Sequence, residues 1–174
     1  MTRTRLLIGG LIVIAVLAAI PITAYGIVPL FVRHTVNEAA PMPAPATTAS
    51  PASTSTAPPT SAPVENRTLL AGSLVKINEV DYGSGRVTVL QSGGTRFLRF
   101  EKVDIAGAPD MFVYLSDATD GNLGTYVDLG RLKGTSGSFN YELPAATDLG
   151  RARSAVIWCR TFRTLISYAN LSAP

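Results

Sequence analysis

From Leu6 to Val32 the chain carries no charged side chain. As a helix, 27 residues reach about 40 Å at about 1.5 Å per residue, and about 20 residues cross the hydrocarbon core of a bilayer. The run therefore spans a membrane with room for tilt, and whatever folds in water must come after it. Arg3 and Arg5 precede it, which places residues 1–5 on the cytoplasmic side and the bulk of the chain outside. The densest part is Leu6–Ile20; Pro21 and Pro29 kink or end the helix toward the far interface. A cleaved signal peptide is the rival reading, with Ile22-Thr23-Ala24 as a small-residue cleavage site. A signal peptide needs an apolar core of only about 7–15 residues, and here the run continues past that site. The expectation is an uncleaved single-pass anchor over 6–32.

Residues 39–64 cannot form a core. Of these 26 residues, 24 are Pro, Ala, Ser or Thr, and seven are proline. Such a segment buries too little to offset the entropy of ordering it. The expectation is a disordered linker acting as a spacer, roughly 80 Å long if fully extended as polyproline II and nearer 30 Å as a coil. Most of the rest, residues 67–174, is one domain.

Charge excludes one partner class. Residues 1–64 sum to +2, and residues 65–174 hold 12 basic against 11 acidic side chains. A nearly neutral domain lacks the basic stripe that phosphate backbones require, so no nucleic-acid partner is expected. The chain has one cysteine, Cys159, and one histidine, His34. These counts exclude a disulfide framework within the chain, a multi-histidine metal site and a serine–histidine triad in the folded part. No hydrolase, transferase or nucleotide-binding constellation is present.

From Thr68 onward short apolar runs recur, separated by Gly, Asp and Asn. The expected strands are Ser73–Asn78, Arg86–Gln91, Thr95–Val103, Met111–Ser116, Tyr126–Gly130, Gly137–Leu143, Ala155–Phe162 and Leu165–Ala169. Tyr82-Gly83-Ser84-Gly85 and Ser92-Gly93-Gly94 supply turn chemistry. The resulting fold class is all-β, a single antiparallel β-sandwich or barrel-like domain behind the helix and linker. Alternation assigns faces: Leu98 and Phe100 share one, Phe97 and Arg99 the other. Met111, Val113 and Leu115 oppose Phe112 and Tyr114. Ala155, Ile157 and Cys159 oppose Val156, Trp158, Arg160 and Phe162, with Trp158, Val156 and Phe162 expected to pack in the core.

Several ordered motifs carry a resemblance. Ser84-Gly85-Arg86-Val87, Leu98-Arg99-Phe100-Glu101 and Gly107-Ala108-Pro109-Asp110-Met111-Phe112-Val113-Tyr114-Leu115 resemble the DM13 domain family. So do Leu129-Gly130-Arg131-Leu132-Lys133-Gly134, Gly137-Ser138-Phe139-Asn140-Tyr141-Glu142-Leu143-Pro144 and Val156-Ile157-Trp158-Cys159-Arg160-Thr161-Phe162. The similarity covers residues 69–172. It implies an extracytoplasmic all-β module acting in electron transfer or redox chemistry through one cysteine, as a thiol or as the ligand of a group such as haem. The matching position is Cys159, the redox candidate and the candidate cofactor ligand. A haem would need a second ligand from Met111, a tyrosine, a lysine or another molecule.

The residues around Cys159 leave the alternative open. A reactive thiol needs access and a nearby positive charge. Arg160 points to the other face of the strand, and Ile157 and Thr161 bring no charge. A small buried apolar residue is the bland reading. Two functions remain: a membrane-anchored redox module meeting a redox partner protein, or a cell-surface binding or structural module meeting a protein or cell-wall component. The redox reading requires a sulfur that can be reached from outside the sheet. Asp117, Asp120 and Asn122 form an oxygen-rich loop read as a polar turn, and Tyr114 and Tyr141 are candidate aromatic relays.

Overall fold

A computed structural model describes residues 33–42 and 66–174. The expected anchor over 6–32 and the proline-rich segment beyond Met42 lie outside the described residues. Among the described residues no helix is long and apolar enough to cross a membrane.

The described residues form nine strands: β1 Thr35–Asn37, β2 Arg67–Ser73, β3 Gly83–Ser92, β4 Thr95–Ile105, β5 Met111–Ser116, β6 Tyr126–Arg131, β7 Ser136–Glu142, β8 Ser154–Cys159 and β9 Thr164–Asn170. They make two sheets, β1-β7-β4-β3-β2 and β6-β5-β8-β9. All pairings are antiparallel except β1 with β7, which is parallel. This is the architecture of a β-sandwich. Val87, Val89, Leu98, Phe100 and Phe139 from one sheet meet Val113, Ala155, Ile157 and Ile166 from the other in one buried cluster. Phe100 stacks on Phe139 at 5.1 Å between centroids, with Tyr141 edge-on at 5.9 Å. The period-2 alternation of β4, β5 and β8 puts these side chains there.

Three expectations are corrected. The strand read at Ser73–Asn78 is the end of β2 followed by a turn. Asn78 Oδ1 accepts hydrogen bonds from the N–H groups of Val80 and Asp81, both at 2.7 Å, and this local bonding outcompetes a ladder. The strand read as Ala155–Phe162 stops at Cys159, because residues 160–163 make the hairpin turn, with Arg163 in the left-handed region at φ 50°. Phe162 is therefore exposed and Trp158 lies half-buried on the outer face, so neither fills the core.

β1 has no counterpart among the expected strands. It hydrogen-bonds along β7 upstream of the 67–174 span, and the chain then crosses the outer face of its sheet. Glu38 accepts from the Asn140 N–H at 2.9 Å and from Lys133 Nζ at 3.0 Å. Ala39 O accepts from Asn140 Nδ2 and Arg99 Nη1, and Pro41 O from Ser92 Oγ. This strap buries Arg99 to 8% exposure and turns a solvent-facing arginine into a cross-link. Arg99 also donates to Glu101 and Asn140, both at 2.8 Å.

Partial burial raises the Glu38 pKa, but Lys133 and the Asn140 amide outweigh it, and the net shift is below the usual 4.5. A carboxyl whose folded value is lowered stabilises above its unfolded value and loses that contribution as pH falls through the folded one. Glu38→Gln is thus expected to cost about 1 kcal/mol at pH 7, discounted for the exposure of the pair. That difference shrinks toward zero below pH 4.5, as read by urea denaturation at each pH.

Candidate functional site

Cys159 ends β8 on the core side of the four-stranded sheet, paired with Met111 of β5 and Thr164 of β9. It has 0% exposure. Its Sγ donates to Pro109 O at 2.8 Å, so the group covering the sulfur is the turn between β4 and β5. Gly107, Ala108, Pro109 and Asp110 of this turn are all half-buried. The sulfur is not reachable in this closed arrangement, which corrects the simplest redox expectation, an accessible thiol.

The covering turn is strained and latched. Asp110 sits at φ 57°, a left-handed conformation uncommon for a residue other than glycine. Its carboxylate pairs with Arg131 at 2.7 Å and accepts from Thr161 Oγ1 at 3.4 Å, and its carbonyl accepts from the Arg160 N–H at 3.1 Å. No local spacing in the sequence shows that Gly107–Asp110 caps Cys159. The signal is the shared end of the two strands, since Met111 comes directly after the turn and pairs with Cys159.

The outer face beside this turn is an aromatic and cationic array. The Arg160 guanidinium lies 3.4 Å from the Phe112 ring centroid, donates from Nε to Tyr114 Oη at 2.6 Å, and pairs with Asp128. The hydrogen bond to Tyr114 is the largest factor raising the Arg160 pKa. Arg131 approaches the same Phe112 ring at 5.2 Å. Arg160 is thus committed opposite the sulfur, as alternation requires, and does not activate Cys159.

The other candidates are structural. Tyr141 packs in the core, donates to Arg131 O at 2.9 Å and accepts from the Lys133 N–H at 2.8 Å; burial pushes its hydroxyl pKa well upward. Asp117 accepts the Thr125 N–H at 2.8 Å and pairs with Arg151 at 2.7 Å; the Thr125 bond is the main reason its carboxyl lies below the usual range. Asn170 Nδ2 donates to Asp120 Oδ1 at 3.0 Å. The oxygens of this loop serve the turn.

The residues present do not fit a haem. Cys159 Sγ is turned into the core against a carbonyl, and His34 belongs to the edge of the other sheet. Two clefts among the described residues do not include Cys159. One, about 140 Å³, lies beside Asp117, Tyr126 and Arg151; the other, about 530 Å³, beside Arg86, Glu101 and Lys102.

Comparison with curated proteins and with solved structures returns no match. The family model described as Electron transfer DM13 matches residues 76–171, more than half of the chain and every strand from β3 to β9. The chain belongs to the electron transfer DM13 family.

Proposed function

We propose that the chain is a membrane-anchored, extracytoplasmic electron-transfer module whose redox group is the Cys159 thiol, exposed only when the Gly107–Asp110 turn lifts. Family membership supports the redox class. The observation that carries the finer reading is the Pro109 cover: a strained turn, tied down by an ion pair, lies over the one thiol. Local openings of such turns cost less than global unfolding.

A lone cysteine exchanges electrons by thiol–disulfide exchange. In that step the Cys159 sulfur, having released its proton, attacks one sulfur of a partner's disulfide. An S–S bond forms to Cys159, the partner's S–S bond breaks, and the second partner sulfur leaves as a thiolate that takes a proton. Cys159 is oxidised to the mixed disulfide and the leaving sulfur is reduced.

The complete burial of Cys159 favours a second reading, a binding or structural module in which the sulfur only fills space. Incubating the folded full-length chain with glutathione disulfide separates the two. The redox reading expects one glutathione adduct at Cys159, reversed by reductant, with the β-sheet signal unchanged. The packing reading expects no adduct until the chain unfolds.

A further inference from the structure

The chain enters the domain at one end of the five-stranded sheet and leaves it at the other. Arg33 pairs with Asp104 and donates to Tyr82 Oη at 3.2 Å, where β4 finishes and β3 is about to start. β1 then runs away from this end along β7, and the strap carries the chain across β7, β4 and β3 to Ser92, beside the β3–β4 turn. There Pro41 O accepts from Asn66 Nδ2 at 2.7 Å, and Arg67 pairs with Gln91. Pro41 and Asn66, which flank the proline-rich segment, are therefore side by side at the far end. A segment whose two ends touch adds no distance between the parts of the chain on its two sides.

The entry end has a surface of its own. The turn between β2 and β3 exposes Ile77 by 40% and Val80 by 65%, with Lys76 paired to Glu79 at 2.6 Å beside them. The turn between β8 and β9 exposes Phe162 by 60%, next to Arg163. The β2–β3 turn borders the sheet that carries the other turn: Val75 N–H donates to Tyr168 O of β9 at 2.9 Å and Ser167 Oγ of β9 donates to Val75 O at 2.8 Å. Apolar side chains on turn tips, with Arg163 beside Phe162, match the chemistry of a bilayer surface.

We propose that this end of the sandwich rests on the lipid surface, with Val80, Ile77 and Phe162 in the headgroup region. The proline-rich segment then leaves and rejoins the domain on the water-facing end and is not a spacer. The proposal rests on the anchor reading of residues 6–32. The apolar run stops one residue before Arg33, and a span needs about 20 residues, so about nine at most separate the hydrocarbon core from β1. The docked surface also carries the turn that covers Cys159, since Asp110 O accepts the Arg160 N–H.

The test uses the full-length chain in phosphatidylcholine–phosphatidylglycerol vesicles. Val80→Cys and, at the opposite end, Gly94→Cys are each labelled with an environment-sensitive fluorophore, and labelling of the unsubstituted chain is subtracted. The protein is expected to float with the vesicles. The label at residue 80 is expected to lose emission when the lipid headgroups carry a nitroxide quencher, while the label at residue 94 keeps it. Deleting residues 43–65 and bridging Met42 to Asn66 with Gly-Ser is expected to change neither result. Floating protein with both labels unquenched, or quenching at residue 80 that appears only after the deletion, overturns the proposal and leaves the anchor standing. Protein that stays in the soluble fraction overturns the anchor reading and the proposal with it.

Discussion

Phe100→Ala is expected to destabilise the domain by about 3–5 kcal/mol, enough to bring a domain with a typical 5–15 kcal/mol close to unfolding at room temperature. Phe100 is fully buried where the sheets meet and contacts both Phe139 and Tyr141. Removing the ring loses its transfer free energy and leaves a cavity that two packed sheets cannot collapse. Phe97, three residues earlier on the same strand but on the outer face and half-buried, is the control. Phe97→Ala is expected to cost about 1–2 kcal/mol, in proportion to the smaller area it removes from water. Urea denaturation of the two variants measures both. Equal losses would mean the face assignment of β4 is wrong.

Gly137→Ala carries the second large effect, and it is local. Gly137 sits at φ 103°, a conformation that L side chains rarely adopt, and a Cβ there would overlap the carbonyl of Val36 on β1. The strain of the backbone and the clash act together, at a combined cost of about 2–4 kcal/mol. The clash is with β1 backbone, so the expected outcome is release of residues 33–42 from β7 rather than loss of the core. Hydrogen exchange reads this directly: protection at Glu38, whose N–H donates to Ser138 O at 2.7 Å, disappears, while protection on β4 and β8 persists. Loss of protection everywhere would mean that β1 is integral to the fold.

Much of this architecture was legible in the sequence, and the residues show why. Period-2 alternation is a direct consequence of strand geometry, so Leu98 and Phe100 on β4, and Ile157 and Cys159 on β8, could be placed on the core face without knowing the topology. β4 and β7 emerged close to their true bounds, whereas β3 begins at Gly83 and not Arg86, because Gly83 and Ser84, read as a turn, pair with Ile105 and Asp104 across a bulge at Gly85. What alternation cannot see is a strand made by pairing rather than by pattern. β1 is three residues long, Thr-Val-Asn, and forms because the edge of β7 is available to it. The same limit hid the strap, and with it the burial of Arg99, which alternation placed on the outer face but not under a covering segment.

The site was legible to the same degree. Sequence reading singles out Cys159 and puts Arg160 on the opposite face, and the stacking of Arg160 on Phe112 agrees. It could not show that the sulfur is sealed, because the seal is Pro109, 50 residues away. Nor could it show that Arg131 latches the seal through Asp110. Contacts of that range are set by which strands end together, a property of topology and not of local spacing.

The account depends on Cys159 being reached by lifting one turn rather than by melting the sheet. The rate at which iodoacetamide alkylates Cys159 in the folded full-length chain, measured against urea well below the unfolding transition, tests it most directly. Opening of a single turn exposes little surface, so the predicted rate is nearly independent of urea and faster than global unfolding allows. Arg131→Ala, which removes the latch on Asp110, is predicted to raise it by about fivefold to tenfold, the equivalent of about 1 kcal/mol. A rate that climbs with the full urea dependence of global unfolding, and that Arg131→Ala leaves unchanged, would contradict the account.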